Sequence, residues 1–203
     1  MKIKICGLFR EADIGYANEA MPDYIGFVFA PSCRQLTATQ ASAFRVRLRE
    51  GITPVGVFVD APVESIAALY KEGIIALAQL HGHEDTAYIT ALKRLCSVPL
   101  IKAVRIATGY NTQHALSMDA VDFFLFDNGA GGTGHTFDWG ILSELTARLR
   151  KPYFLAGGIN GDNITAALAL KPFAVDVSSG VETNGVKDRT KMLSLVQQVR
   201  TWR

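Results

Sequence analysis

The chain has 203 residues, 49% of them apolar and 20% charged, and 21 Lys and Arg stand against 19 Asp and Glu for a formal net charge of +2. That length and usage suit one globular domain over residues 1–203 with a sizeable core, and they exclude a disordered or fibrous chain. The basic residues are scattered rather than gathered into a stripe, which argues against nucleic acid as a partner, and no apolar run approaches the roughly 20 residues of a membrane span.

The first predicted strand is Lys2 to Cys6, and the start Met1-Lys2-Ile3-Lys4-Ile5-Cys6-Gly7 lacks the long apolar stretch of a secretion signal, so the chain reads as cytoplasmic. Tyr24 to Phe29 follows, apolar at nearly every position, as a strand covered on both faces should be. Thr37-Ala38-Thr39-Gln40 has the spacing of a capping box and opens a helix. Pro54 to Val59 is the third strand, and Pro62 suits the first turn of the helix after it. Ile75 to Leu80, Leu100 to Val104, Phe123 to Asp127, Tyr153 to Ala156 and Phe173 to Val177 complete eight strands, and a helical segment from Arg189 to Trp202 closes the series. Eight βα repeats without a linker predict an α/β fold, a single (β/α)8 TIM barrel, with an open doubly wound sheet as the alternative.

Barrels of this kind build their active sites at the C-terminal strand ends, which directs attention to the residues there. Cys6 and Gly7 end the first strand, Arg34 lies after the second, and Gln79-Leu80-His81-Gly82 ends the fourth. Asp127 ends the sixth and is followed by the Gly-rich run Asn128 to Thr136, while Gly157-Gly158 and Ser178-Ser179-Gly180 follow the seventh and eighth. Glycines after strands 7 and 8 let backbone N–H groups converge on an anion beside a short extra helix, and phosphate binding is favoured over mere turns. Asp127 ends an apolar run and is either a partly desolvated proton donor or a loop cap. Cys6 is either a small buried hydrophobe or a base or nucleophile. Arg34 is a solvated charge or a clamp for a carboxylate or phosphate. His81 is a satisfied core histidine or a substrate contact, and it stays among the substrate-binding candidates. Three cysteines, Cys6, Cys33 and Cys96, suggest neither a disulfide framework nor zinc, and His83, His114 and His135 lack ligand spacing, so no metal is implied.

Taken together, these segments resemble the phosphoribosylanthranilate isomerase family through nearly the whole chain. The matching runs are Lys4-Ile5-Cys6-Gly7, Gly26-Phe27-Val28-Phe29, Ser32-Cys33-Arg34, Val55-Gly56-Val57-Phe58 and Gln79-Leu80-His81-Gly82. They continue through Asp127, Gly131-Gly132-Thr133-Gly134, Phe137-Asp138-Trp139, Leu155-Ala156-Gly157-Gly158, Asp176 to Glu182 and Gly185-Val186-Lys187-Asp188. Cys33 and His135 depart from the residues the family commonly has at those positions. The resemblance implies an aldose–ketose isomerase of tryptophan biosynthesis that performs the Amadori rearrangement of N-(5-phosphoribosyl)anthranilate. It implies Cys6 as general base and Asp127 as general acid, with no metal and no cofactor. It places Arg34 on the anthranilate carboxylate, Asp176 near the substrate, and Gly158, Ser179 and Gly180, with Gly157 beside them, at the phosphate. The expected partner is therefore a small phosphorylated aminoaldose, for a monomer or homodimer. A histidine-pathway aminoaldose isomerase is the nearest competing enzyme, but those relatives typically carry Asp where Cys6 stands. A phosphate-binding barrel without turnover is the other competitor, and intact Cys6, Asp127 and Gly-rich segments argue against it.

Overall fold

The computed structural model describes residues 1–106, 118–127 and 149–202. The run 128–136, the segment Phe137-Asp138-Trp139 and the histidines at 114 and 135 lie outside the described residues. Eight strands close into a parallel barrel in chain order: β1 (Lys2–Cys6), β2 (Tyr24–Val28), β3 (Thr53–Phe58), β4 (Leu77–Leu80), β5 (Leu100–Arg105), β6 (Phe123–Asp127), β7 (Tyr153–Leu155) and β8 (Ala174–Val177). Closure is made by β1 against β8, with Lys2 opposite Ala174, Ile3 opposite Val175, Lys4 opposite Asp176 and Ile5 opposite Val177. An open sheet has no such pair, so the alternative topology is overturned.

Outside the barrel lie α1 (Glu11–Ala20), α2 (Ala38–Arg47), α3 (Val63–Lys71), α4 (Thr86–Leu95), α5 (Ile164–Ala169) and α6 (Arg189–Thr201). The Thr37 and Gln40 capping box forms as expected. Pro62 sits one residue earlier than expected, at the N-cap of α3. The fourth strand starts at Leu77 rather than Ile75, because Ile74 and Ile75 turn back on α3, both donating backbone N–H groups to the Leu69 carbonyl. After β8 comes a single 3-10 turn, Ser179–Val181, and then a small antiparallel hairpin, β9 (Glu182–Thr183) and β10 (Val186–Lys187), that periodicity did not suggest.

Side-chain alternation divides the core in two. Val55, Leu77, Ile101, Leu125, Phe154 and Ala174 pack together inside the barrel. Their strand neighbours, among them Ile3, Ile5, Ile25, Phe124, Val175 and Val177, pack outward against the helices. Because Ile3 and Ile5 face out, Lys4 and Cys6 face in. By the same parity Asp176, between Val175 and Val177, faces the interior beside them.

Candidate active site

The inward positions at the C-terminal strand ends line a cavity of about 290 Å³. Cys6, Arg34, His81, Asp127 and Asp176 all border it, as do Gly157, Gly158 and Ser179. Gly180 does not. It borders a neighbouring cleft with Asn160 and Ser194, and a Cβ built on it would lie 1.9 Å from the Ile159 carbonyl oxygen. Packing of the loop after β7 against the turn after β8 is therefore enough to require glycine there.

Cys6 is partly exposed to the cavity at the end of β1. Gly26 stands opposite it in register on β2, and an added Cβ at Gly26 would come within 2.6 Å of the Cys6 sulfur, so the missing side chain is the space the thiol occupies. The next residue, Gly7, has φ +79 and donates its N–H to the Gly26 carbonyl at 2.9 Å; a Cβ on it would meet the Arg34 Cδ at 2.6 Å. This left-handed glycine both turns the chain and lets Arg34 lie across the strand end. Beneath the thiol, Lys4 is fully buried and its ammonium donates to Asp176 Oδ2 at 2.9 Å. Burial works against the ammonium, but the Asp176 carboxylate and the nearby Cys6 outweigh it and hold the Lys4 pKa above the ordinary lysine value. Burial pushes the Cys6 thiol up; Lys4 and Lys187 oppose that push and Asp176 adds to it.

Arg34 is not a solvated charge. Its Nε donates to Glu182 Oε1 at 2.9 Å and its Nη2 to Oε2 at 2.7 Å, the paired geometry of an arginine fork on a carboxylate. Glu182 also accepts from the buried Lys187 ammonium at 2.5 Å, and that ammonium donates to the Ser178 carbonyl at 3.0 Å. Burial lowers the Lys187 pKa. Burial also disfavours the Glu182 carboxylate, but its bonds to Arg34 and Lys187 prevail and keep its pKa below the usual glutamate value. The β9–β10 hairpin places both residues, since Lys187 stands opposite Glu182 in its register. The clasp engages one edge of the guanidinium, and the edge formed by Nη1 and Nη2 remains geometrically available to a second carboxylate.

Across the mouth, His81 Nε2 lies 3.5 Å from Asp127 Oδ2, a distance for electrostatic contact more than for a formed hydrogen bond. Gln79 holds the other side of the ring, its side-chain amide 2.9 Å from His81 Nδ1. The loop that carries His81 is fixed by a buried pair: Lys102 donates to Glu84 Oε2 at 2.6 Å and to the Gly82 carbonyl at 2.8 Å, while Glu84 accepts from the backbone of Gly82 and Asp60. Two buried acceptors in the site, Asp176 Oδ1 and Gln79 Oε1, make no hydrogen bond within the described structure. Gly157 and Gly158 take φ of 94 and 70, which turns the chain after β7 into the cavity wall.

The family model described as N-(5'phosphoribosyl)anthranilate (PRA) isomerase matches residues 3–198. The chain belongs to that family. An N-(5'-phosphoribosyl)anthranilate isomerase from Endomicrobium trichonymphae is 45% identical to it over 205 residues, covering 98% of each chain. The crystal structure of the phosphoribosyl anthranilate isomerase from Thermus thermophilus superposes with a TM-score of 0.88 at 33% identity, with all of both chains covered. A further family structure, solved with reduced 1-(o-carboxyphenylamino)-1-deoxyribulose 5-phosphate, has a TM-score of 0.86 and 31% identity, again with all of both chains covered.

Reading of the strand ends missed Lys4, Glu182 and Lys187 as members of the site. Lys4 shared the inward parity of Cys6, two residues on, but its alternation with Lys2 gave it the look of a solvated lysine. Glu182 and Lys187 carried only their places in the matched motifs.

Proposed function

We propose that this chain isomerises N-(5-phosphoribosyl)anthranilate to 1-(2-carboxyphenylamino)-1-deoxyribulose 5-phosphate, with Asp127 as general acid and Cys6 as general base. The observation that carries the reading is the single cavity bordered by Cys6, Asp127, Arg34 and the loop glycines, a thiol and a carboxyl on strands across the mouth from one another. Asp127, protonated, gives its proton to the furanose ring oxygen; the C1–O bond breaks and the anilino nitrogen forms a Schiff base. Cys6 as thiolate then takes the proton from C2, giving an enolamine that tautomerises to the ketone with a proton gained at C1. His81, anchored by Gln79, holds the Asp127 carboxyl in place. The free edge of Arg34 binds the anthranilate carboxylate, and the backbone around Gly157, Gly158 and Ser179 receives the phosphate. Asp176 Oδ1, a buried acceptor, takes a hydrogen bond from a substrate hydroxyl.

Freshly generated phosphoribosylanthranilate is fluorescent, and its loss of signal with purified protein is the direct assay, run beside the histidine-pathway aminoaldose as control. Turnover of the first and not of the second supports the reading. Absence of turnover of phosphoribosylanthranilate by folded protein overturns it.

A further inference from the structure

We infer that Lys4 is a positioning residue for this reaction: held beneath Cys6 by Asp176, its buried ammonium stabilises the thiolate that Cys6 must become to act as a base. The inference rests on the reading of Cys6 as base, and it concerns a residue that does not border the cavity and touches no substrate.

A lysine inside a barrel is a costly way to fill space. Its ammonium loses all contact with water, and a methionine of similar volume fills the same space without that loss. The partner Asp176 explains how the charge is tolerated, with Nζ to Oδ2 at 2.9 Å, but not why a charged pair sits there. The thiol supplies the reason. Lys4 and Cys6 are two residues apart on β1 and share the inward face, and Asp176, which holds the ammonium at 2.9 Å, borders the same cavity as the thiol.

The groups around Cys6 come from four elements. Lys4 lies on its own strand and Asp176 on β8; Lys187 comes from β10, and Arg34 from the loop after β2, clasped by Glu182. The neighbouring strand β2 gives only Gly26 at the register position. Three cations and two carboxylates leave one positive charge in the cluster, and a Cys6 thiolate neutralises it. Of these groups Lys4 pulls hardest toward the thiolate, harder than Asp176 pushes against it. Removing the ammonium leaves burial and Asp176 holding the proton on sulfur against Lys187.

The thiolate can be read without turnover, which also depends on the Asp127 proton. The rate of iodoacetamide alkylation at Cys6, followed by peptide mass mapping between about pH 6 and 10, is proportional to the thiolate fraction, with Cys33 as an internal control in the same chain. In Lys4→Met the Cys6 rate is expected to drop about tenfold or more at any pH below the thiol midpoint, while the Cys33 rate stays put. Lys4→Met leaves Asp176 without its cation and can fail to fold, so Lys4→Met/Asp176→Asn, which removes both charges, is measured beside it. Its Cys6 alkylation is also expected to slow, because the pull of Lys4 exceeds the push of Asp176. Folded variants whose Cys6 alkylation follows the parent curve, or runs faster, overturn the inference. Full turnover by Cys6→Ser instead defeats the base assignment and leaves the alkylation result standing, so the two failures are separable.

Discussion

Glu182→Gln tests the clasp that orients Arg34. The carboxylate takes two hydrogen bonds from the Arg34 fork and one from Lys187, and its side chain is only 5% exposed. Glutamine keeps one acceptor and turns an amide N–H toward a donor, so either Arg34 or the buried Lys187 ammonium loses its partner. Removing one partner of a buried ion pair typically costs about 3 to 5 kcal/mol. The lower figure applies here, because the amide retains one bond and Lys187 keeps the Ser178 carbonyl. For a chain of this length about 3 kcal/mol lowers Tm by roughly 6 to 12 °C. With Arg34 no longer held, KM for the carboxylate-bearing substrate is expected to rise about tenfold, which corresponds to 1.4 kcal/mol, with a smaller change in kcat. The pH dependence has a definite sign. Glu182 has its pKa lowered in the folded state, so its stabilisation is complete above the ordinary glutamate range and is lost as pH falls through the lowered folded value. The Tm gap between parent and variant should therefore be widest near neutrality and narrow in acid. Calorimetric melting at several pH values, with steady-state kinetics on the same preparations, decides the matter. A variant that melts within about 2 °C of the parent at neutral pH, with unchanged KM, refutes the clasp as a source of either stability or substrate orientation.

The remaining expectations concern the acid, the base and the phosphate loop. Cys6→Ser should keep its fold and lose most turnover, because a hydroxyl is far harder to ionise than a thiol; near-parent kcat in the fluorescence assay removes Cys6 from the chemistry. Asp127→Asn should lower kcat by about 100-fold to 10,000-fold while the product dissociation constant, measured by calorimetry, changes far less; nearly full kcat defeats the general-acid assignment. Ser179→Asp puts a carboxylate on the cavity wall without the backbone clash met at Gly180, so inorganic phosphate affinity should drop at least about tenfold, and equal binding by the folded variant moves the phosphate elsewhere. Gly26→Ala drives a methyl to 2.6 Å from the Cys6 sulfur and should cost about 1 to 3 kcal/mol along with activity; a melt and kcat matching the parent contradict the packing described at that strand end.

How far the sequence could be read depended on whether a property was carried by local period or by register. Strand existence was legible because doubly covered strands are apolar at almost every position, as in Ile25-Gly26-Phe27-Val28, and the ends fell within a residue or two. Closure was an inference from the count of eight, and only the pairing of β1 with β8 decides it. Cys6, His81 and Asp127 stood out because each is a polar or reactive residue at the end of an apolar run, and Arg34 because it lies in the loop after the second strand. The two-residue strands of the β9–β10 hairpin are too short to show a period, so the Glu182 and Lys187 pair could not be placed from spacing.

Lys4 shows where pattern reading is weakest. In the sequence, Lys2 and Lys4 alternate with Ile3 and Ile5, which is how a half-exposed strand with a watery face looks. In the barrel that same alternation points inward, and the charge is sustained only because β8, 172 residues away, sets Asp176 opposite it. The alternation rule is correct about which residues share a face and silent about what that face meets. A lysine whose spacing is that of a solvated residue is then a fully buried charge, and the carboxylate that makes it tolerable borders the same cavity as the thiol while keeping one buried oxygen without a hydrogen bond in the described structure. Barrel closure thus does chemical work here: joining the last strand to the first is what assembles the cation, the carboxylate and the thiol on one wall.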